Sequence, residues 1–301
     1  MGLTFGLNSL IITGSIILIT SIAILSFKMS RSEKSLLNSK KKTQKQKVTL
    51  TKKTQISPDT YQFSFSFKPG YKLGIQNGQH IKIYLQNENG LEISRNYTPI
   101  TPVETSSHFD LVIKIYRANV HPDFPEGGLF TQLLDKLEIG SQIDISGPVG
   151  ILNYQGNGKI SYVDNIQKPQ TYKNIIMVAG GTGITPMFQI LQAIKNNVLD
   201  KTEISLLYVN RHENDILLRK ELEYYKNTHN LHINLSLTQP SQEWNQLKGR
   251  ISEEMIRSLY QDFITQNKQD DTIVLYCGPQ GFNKGARTIF KQLGFKNLHT
   301  F

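Results

Sequence analysis

The stretch IIMVAGGTGITPM, residues 175–187, decides the fold of the second half of this chain. An apolar run leads into three closely spaced glycines, after which Thr185 is the predicted N-cap and Pro186 the first residue of a helix. Glycine lets the main chain come close to a ligand, and the free N–H groups at a helix start favour phosphate. The spacing matches neither GxGxxG nor GxxxxGKT, which argues against a P-loop nucleotide-binding protein.

Strand-like and helix-like segments alternate around this stretch, from Lys173 to the C terminus. The predicted strands cover 175–179, 204–209, 233–237 and 272–276, and the predicted helices cover 186–196, 215–227, 252–260 and 282–293. This order predicts a doubly wound parallel sheet with right-handed crossovers, of the Rossmann-like kind. Ligands of such sheets bind at the carboxyl ends of the strands, so the glycine loop and the turn at 277–279 are expected to meet over one ligand.

The preceding part of the chain, from Val48, has a different pattern. Short segments with alternating apolar residues, at 60–67, 80–85, 110–116 and 142–145, are separated by turn residues. This period of two predicts an antiparallel β-barrel. The predicted domains are therefore 48–155 for the barrel and 173–301 for the parallel-sheet domain, with a linker at 156–172.

The N-terminal 27 residues contain no ionisable side chain, and Ile and Leu dominate from Leu7 onward. About 20 apolar residues suffice to span a bilayer, so residues 1–27 are a predicted transmembrane anchor, with a cleaved signal peptide as the competing interpretation. Eight basic residues and one acidic residue follow in 28–47, a predicted flexible tether, and they supply most of the net charge of +10. This position favours a membrane-flanking segment with the catalytic domain in the cytosol, and it argues against nucleic acid as the partner.

Cysteine and histidine limit the possible chemistry further. A single cysteine, Cys277, excludes an intramolecular disulfide framework, a four-cysteine iron-sulfur cluster and a cysteine-built zinc site. The seven histidines have no metal-ligand spacing, so no bound metal is expected. For Cys277 itself, a small buried residue that closes a strand is the alternative to a site residue.

A second candidate site lies in the first half, in the run ISRNYTPI at 93–100. Alternation places Arg95 and Tyr97 on one face of a strand, where the guanidinium could bind a pyrophosphate bidentately and the ring could lie against a ligand. A surface arginine beside a half-buried tyrosine is the other interpretation of this run. Downstream, Gly127 and Gly128 precede a predicted amphipathic helix that runs through Leu137.

Together these motifs resemble the NADH-cytochrome b5 reductase family, within the ferredoxin-NADP reductase superfamily. The motifs are RNYTPI, GQHI at 78–81, VIKIY at 112–116, HPDFPEGG at 121–128, GPVG at 147–150, GGTGITPM, DILLRKELE at 215–223 and CGP at 277–279. The resemblance covers about 48–301, with the motifs in the order of the family. It implies an FAD-binding barrel followed by an NAD(P)H-binding domain, on a membrane anchor of the endoplasmic reticulum or the mitochondrial outer membrane.

The resemblance also implies a role for each matching residue. The residues expected to bind FAD are Arg95, Asn96, Tyr97, Thr98, Val112, Lys114, Tyr116, Gly128, Leu129, Phe130, Thr131 and Thr185. Those expected to bind NADH are Gly181, Thr182, Gly183, Pro186, Cys277, Gly278 and Pro279. Phe301 is expected to bind NADH or to shield the flavin. Of these, Thr98, Lys114 and Cys277 are the expected catalytic residues, and simple packing is the alternative for Phe301.

The implied reaction passes a hydride from NADH to flavin N5 and then single electrons to the haem of cytochrome b5. No general acid is needed for the hydride step. Two alternatives stay open at this point. One is an FAD-dependent NAD(P)H reductase of another acceptor, such as a quinone or another haem protein, and the other is a non-catalytic, membrane-tethered nucleotide-binding protein.

Overall fold

A computed structural model describes residues 34–120, 125–163, 168–226 and 231–301. The predicted anchor at 1–27 lies outside these residues. Within the described ranges, none of the helices has the length and apolar character needed to cross a bilayer.

An antiparallel lobe forms the first half of the described chain. It contains β1 Gln46–Ser57, β2 Thr60–Ser66, β3 His80–Gln86, β4 Glu92–Tyr97, β5 His108–Lys114, α1 Leu129–Asp135 and β6 Gln142–Val149. The six strands pair in the order β4-β3-β6-β1-β2-β5, and every ladder is antiparallel. Buried and partly exposed residues alternate along β3, so the period-two pattern predicted this half correctly.

The sheet of this lobe curves around its core. Five intervals of about 4.8 Å would place the edge strands β4 and β5 about 24 Å apart if the sheet were flat. Yet Tyr97 of β4 and Leu111 of β5 pack in one apolar cluster with residues of the other four strands. No ladder joins β4 to β5 in the ranges that the structure describes, so the predicted barrel is an antiparallel sheet whose two edges are not hydrogen-bonded to each other.

Residues 35–47 of the predicted tether are ordered. Leu37 is only 2% exposed and packs in the core of the antiparallel lobe, and the backbone N–H of Leu37 donates to the carbonyl of Leu73. Strand β1 then begins at Gln46. For residues 35–47 the prediction of flexibility is therefore wrong, because one leucine among the lysines contributes enough apolar surface to hold the segment on the sheet.

A small three-stranded sheet follows the antiparallel lobe. It consists of β7 Leu152–Tyr154, β8 Lys159–Tyr162 and β9 Gln170–Thr171, so two of its strands lie within the predicted linker at 156–172. The Tyr154 hydroxyl donates to Asp200 across 2.5 Å, and the same carboxylate accepts from the backbone N–H of Asn157. This connection is therefore fixed to the second half of the molecule.

A parallel lobe forms the remainder. Its elements are β10 Asn174–Gly180, α2 Ile184–Lys195, β11 Glu203–Asn210, α3 Arg219–Lys226, β12 Leu231–Leu237, β13 Leu247–Lys248, α4 Glu253–Leu259, α5 Gln261–Thr265, β14 Thr272–Cys277, α6 Gln280–Gln292 and β15 Asn297–Thr300. The strands pair in the order β13-β12-β11-β10-β14-β15, all parallel. The predicted doubly wound sheet is confirmed, and β13, α5 and β15 are additions to it.

The two faces of this sheet explain the apolar run in β10. Met177 points into the cluster that contains α2, whereas Val178 points into the cluster that contains α4 and α6. Because helices cover both faces, every residue of β10 is buried. The α2 cluster also includes Ile100 and Val112, so the two lobes share apolar packing.

Two helices begin at residues other than those predicted. Gly183 is the N-cap of α2, because a 3-10 turn over Gly181–Gly183 leads directly into the helix; Thr185 therefore lies in the first turn and is not the N-cap. Helix α3 begins at Arg219 and not at residue 215. Leu218 has a φ of +57°, which interrupts a helical path before that point.

Candidate active site

The candidate site lies at the point of the parallel sheet where the order of the strands reverses. Strand β10 is central, and the chain adds β11 to one side of it and β14 to the other. The loops that follow β10 and β14 therefore lead towards opposite faces of the sheet, and the crevice outside the carboxyl ends of the strands lies beside them. These are the two loops that the sequence predicts to meet over one ligand.

The glycines of the first loop serve different purposes. A Cβ atom on Gly183 would lie 2.0 Å from the carbonyl oxygen of Cys277, so glycine is required there because the two loops touch through their backbones. Gly181 has a φ of +55° and open space where its Cβ would be. Of the three glycines, Gly181 alone thus fits the expectation of a close approach to a ligand. Glycine at position 180 is explained by its packing against the Phe282 ring.

A cavity of about 320 Å³, here called the central cavity, opens between the two lobes at this crevice. Its antiparallel-lobe wall consists of His80, Asn96, Tyr97, Thr98, Val112, Ile113, Lys114, Tyr116 and Thr131. Its parallel-lobe wall consists of Thr182, Gly183, Thr185, Pro186, Cys277, Gly278 and Phe301. The volume falls at the lower end of the range of about 300–1,000 Å³ typical of ligand pockets, which suits a ring system better than a whole dinucleotide.

Most of the predicted site residues line this cavity, including all three that were expected to be catalytic. Those that do not line it are Arg95, Gly128, Leu129, Phe130, Gly181 and Pro279. Pro279 is the N-cap residue of α6, and Leu129 is 55% exposed at the start of α1. The roles of all these residues in binding remain predictions.

Arg95 and the start of α1 lie together at the edge of the central cavity. The Arg95 guanidinium is 6.0 Å from the ring centroid of Phe130, in the first turn of α1. That ring in turn packs 5.9 Å from the ring of Tyr97, which lines the cavity. The Arg95 guanidinium donates to the backbone carbonyl of Ser94 at 2.7 Å, and because the side chain is exposed, its other N–H donors are accessible to solvent.

Thr131 fixes the geometry between α1 and β5. Its hydroxyl accepts from the backbone N–H of Tyr116 at 3.1 Å and donates to the carbonyl of Gly128 at 3.0 Å. The N–H of Gly128 donates in turn to the carbonyl of Tyr116. These three bonds hold the glycine turn against the strand, at a place where a Cβ on Gly128 would come within 2.8 Å of the Thr131 hydroxyl.

Burial keeps two polar side chains of the cavity neutral at physiological pH. Burial raises the pKa of the Tyr97 hydroxyl well above its usual value, although the Arg95 charge acts in the opposite direction. Burial also raises the pKa of the Cys277 thiol to about 11. A thiol with such a pKa is a poor nucleophile, so Cys277 contributes contact surface to the cavity and not a thiolate.

Lys114 forms ion pairs with both lobes. Its Nζ is 2.8 Å from Asp59 in the antiparallel lobe and 3.3 Å from Asp215 in the parallel lobe. Burial alone lowers the pKa of Lys114, but the hydrogen bond to Asp59 and the charge of Asp215 outweigh it and raise the pKa on balance. The amine is thus a fixed positive charge on the wall of the central cavity.

The C-terminal residue lies between the cavity and a partly buried aromatic cluster. Phe301 lines the cavity, and its ring meets His299 edge-on at 5.1 Å. His299 also packs 5.6 Å from the Tyr162 ring, and burial lowers the pKa of the histidine to about 4. Phe301 therefore packs against His299 and also lines the cavity, and shielding of the flavin by its ring stays a prediction.

Four residues of the site are absent from the predicted set. His80 and Ile113 line the cavity, and Asp59 and Asp215 hold Lys114. His80 lies in the GQHI motif, which could have revealed it, and its buried Nε2 atom has no hydrogen-bond partner in the part of the chain that the structure describes. Asp215 begins the DILLRKELE motif, but no local signal links either aspartate to Lys114, because that partner is distant in the sequence.

The chain matches two protein families. The oxidoreductase FAD-binding domain matches residues 47–154, and the oxidoreductase NAD-binding domain matches residues 177–288. The antiparallel lobe is therefore an FAD-binding domain and the parallel lobe an NAD-binding domain.

Among known proteins, NADH-cytochrome b5 reductase 2 of Mus musculus is 38% identical over 258 residues, which cover 83% of this chain and 91% of the mouse protein. The NADH nitrate reductase of Ulva prolifera is 40% identical over 268 residues, which cover 81% of this chain. The chain spans only 30% of the length of that reductase.

Among solved structures, the cytochrome b5 reductase domain of the Ulva prolifera nitrate reductase superposes with a TM-score of 0.78 at 35% identity, covering 89% of this chain and 100% of that domain. The match to the mouse reductase extends over nearly its whole length, and both lobes have a counterpart in the Ulva prolifera domain. The chain therefore belongs to the NADH-cytochrome b5 reductase family.

Proposed function

We propose that this protein is a membrane-anchored reductase that takes a hydride from NADH on FAD and delivers single electrons to cytochrome b5. The observation that carries the proposal is the central cavity, whose two walls come from an FAD-binding and an NAD-binding domain. Two redox rings can react only if they are held at contact distance, and a cavity shared by the two domains is where that can happen.

The residues present fit an FAD group. The central cavity is large enough for a ring system, and the buried Nε2 of His80 leaves an unpaired polar atom on its wall. Beside it, Arg95 and the backbone N–H groups at the start of α1 would hold the diphosphate of the cofactor. Tyr97 would lie along the part of the cofactor between the ring and the phosphates.

Bound FAD supplies the redox chemistry, because a flavin accepts two electrons together and can pass them on one at a time. The protein has to bind and orient the FAD and the nicotinamide, and it has to exclude water from between them. Val112 is 4% exposed and Thr185 is 9% exposed, so each wall presents a side chain that is largely shielded from solvent. The neutral Tyr97 hydroxyl and Cys277 thiol add polar contact without a charge that would have to be neutralised during transfer.

The nicotinamide would enter from the parallel lobe. Thr182, Pro186 and Gly278 line that side of the central cavity, and the backbone contact between Gly183 and Cys277 holds their loops together. The Lys114 ammonium is positioned to meet the carboxamide or the phosphates of the nucleotide from the opposite wall. Titration with NADH and with NADPH, followed by flavin absorbance, would identify the preferred nucleotide.

The acceptor is tested by comparing substrates. Purified protein, NADH and cytochrome b5 should give rapid haem reduction, with ferricyanide as a positive control for reduction of the flavin. Reduction of ferricyanide without any reduction of cytochrome b5 would reject the partner, and a quinone assay would then identify another acceptor. Colourless protein that cannot be reconstituted with FAD would reject catalysis altogether.

Membrane attachment is part of the proposal and rests on the apolar residues 1–27 and the basic residues that follow. We place the catalytic domains on the cytosolic face of the endoplasmic reticulum or the mitochondrial outer membrane. The full chain should float with phospholipid vesicles in a density gradient, whereas a fragment of residues 35–301 should stay at the bottom. If the full chain and the fragment both stay at the bottom of the gradient, the result would contradict the anchor.

A further inference from the structure

Gln189 is a buried side chain of α2 that reaches from the parallel lobe into the antiparallel lobe. It is 1% exposed. Its Oε1 accepts from the backbone N–H of Gly78 at 2.7 Å, and its Nε2 donates to the backbone carbonyl of Gln79 at 3.2 Å. One side-chain amide thus satisfies a donor and an acceptor on consecutive residues of the other lobe.

The loop that it holds is also bonded to β7, where the backbone N–H of Tyr154 donates to the Asn77 carbonyl. Gly78 has a φ of +102°, and a Cβ there would lie 2.4 Å from the Leu152 side chain. The loop is therefore pressed between Leu152 and Gln189. Residues 75–77 line a second cavity, of about 350 Å³, so packing does not fill the space on that side.

Both ends of this connection lead directly to the central cavity. His80 follows Gln79 and lies on the antiparallel-lobe wall, and Thr185 lies one helical turn before Gln189 on the parallel-lobe wall. Residues i and i+4 of a helix share a face, so Thr185 and Gln189 both face the antiparallel lobe. The bonds of this side chain therefore join the two walls directly, in addition to the Tyr154–Asp200 bond and the apolar packing that the two lobes share.

The ion pair on the other side of the cavity is less rigid. Lys114 is 3.3 Å from Asp215, and their side chains are 30% and 23% exposed. Partly exposed ion pairs constrain a structure weakly because water competes for both charges. The buried amide is thus the stronger of these two polar connections between the walls.

We propose that Gln189 is a positioning residue that sets the separation between the flavin-binding wall and the nicotinamide-binding wall. The inference rests on the proposed function, since it assigns Gln189 to the geometry of hydride transfer. Misplacement of reacting groups by about 1 Å costs about 100-fold in rate. Gln189 does not line the central cavity, so it touches neither the flavin nor the nicotinamide ring proposed to bind there. A substitution at Gln189 should therefore slow the hydride transfer through its effect on geometry.

Two substitutions separate positioning from simple packing. Gln189→Met keeps the length of the side chain and removes both hydrogen-bonding atoms, and Gln189→Asn keeps the amide but shortens the side chain by one methylene group, so that it cannot reach both Gly78 and Gln79. Gln192→Met is the matched control. Gln192 lies on the same helix, and its side chain forms a hydrogen bond with Tyr225 within the parallel lobe.

The experiment combines two measurements on the FAD-loaded proteins. The first is the rate of flavin bleaching after anaerobic mixing with saturating NADH, and the second is hydrogen exchange at the Gly78 amide without nucleotide. We expect Gln189→Met to bleach about 10- to 100-fold more slowly and its Gly78 amide to exchange at least about tenfold faster. Gln189→Asn should show the same changes to a smaller extent, and Gln192→Met should match the wild type in both.

Faster Gly78 exchange with bleaching within twofold of the wild type would overturn the inference, because the bond would then be structural only. Unchanged exchange at Gly78 would overturn it as well, because the bond would not hold the loop. If Gln189→Met yields no folded protein, Gln189→Asn decides by the same two measurements. A wild-type protein that binds FAD but is not bleached by NADH would reject the proposed function instead, and the inference with it.

Discussion

At the scale of single residues, the site combines neutral buried groups with one fixed charge. Tyr97 and Cys277 are kept uncharged by burial, whereas Lys114 keeps its charge because Asp59 and Asp215 flank it. A hydride step needs no proton donor, so such a site requires a stable electrostatic environment more than a titrating group. We therefore expect substitution of a neutral buried residue and substitution of Lys114 to have different effects on the reaction.

Replacement of Lys114 should weaken the binding of NADH more than it weakens the binding of FAD. Lys114→Met removes the positive charge and leaves two aspartates without their shared partner. Charge-assisted hydrogen bonds contribute about 1.5–3 kcal/mol, so we expect KM for NADH to rise about tenfold or more with FAD content unchanged. Steady-state kinetics check this, with Lys220→Met as a control that removes the same charge from an exposed position of α3. Equal KM values for the two variants would contradict the role of Lys114.

His299 should make the folded protein sensitive to mild acid. Burial lowers its pKa to about 4 from an ordinary value of 6.5, so the unfolded chain takes up a proton at a higher pH than the folded one. The stability that follows is present above pH 6.5 and is lost as the pH falls towards 4. We expect about 2 kcal/mol of the free energy of unfolding to be lost between pH 7.5 and pH 5 through this residue.

The measurement is urea unfolding at both pH values for the wild type and for His299→Phe, which keeps an aromatic ring beside Phe301. The variant should lose less stability than the wild type across this range, because the other acid-sensitive groups are common to both. An identical loss in the two proteins would show that His299 is not buried as a neutral ring.

At the scale of structural elements, the loops after β10 and β14 act as one unit. A Cβ on Gly183 would lie 2.0 Å from the Cys277 carbonyl oxygen, so Gly183→Ala must separate the loops. We expect NADH oxidation to fall about 10- to 100-fold while FAD stays bound to the antiparallel lobe. Gly285→Ala in α6, where a Cβ meets nothing within 4 Å, should have normal activity. Activity of Gly183→Ala within twofold of that control would contradict the contact.

The elements themselves were largely predictable from sequence, and the failures have physical causes. Periods of two and 3.6 place most strands and helices to within a few residues. The starts of α2 and α3 were wrong because a 3-10 turn over Gly181–Gly183 and the positive φ of Leu218 are decided by backbone geometry. The short strands β13 and β15 carry too few residues for a pattern.

The site was predictable only where a motif or the resemblance covered it. Tyr97, Thr185 and Cys277 belong to such motifs, and the structure brings all three to the central cavity. Contacts between residues far apart in sequence, such as Lys114 with Asp215 or Gln189 with Gly78, leave no local pattern. They arise where the two lobes meet, and they are visible only in the three-dimensional structure.

At the scale of the whole molecule, the catalytic part begins before the first strand. Leu37 lies in the core of the antiparallel lobe, so a fragment that starts at Val48 should be less stable than one that starts at Ser35. Leu37→Ala in the longer fragment should cost about 2–4 kcal/mol of unfolding free energy. Thermal and urea unfolding of the FAD-loaded fragments check this, and Lys40→Ala, an exposed position in the same segment, is the control. Equal stability of Leu37→Ala and Lys40→Ala would contradict the packing of the segment.

Our central expectation is direct hydride transfer from a nicotinamide to a flavin in the central cavity between the two lobes. Anaerobic stopped-flow mixing of the FAD-loaded protein with NADH, and with NADH deuterated at the transferred position of C4, tests it most directly. We predict rapid loss of flavin absorbance and a slower loss with the deuterated nucleotide. An FAD-loaded protein that dithionite reduces but NADH leaves fully oxidised would contradict this arrangement.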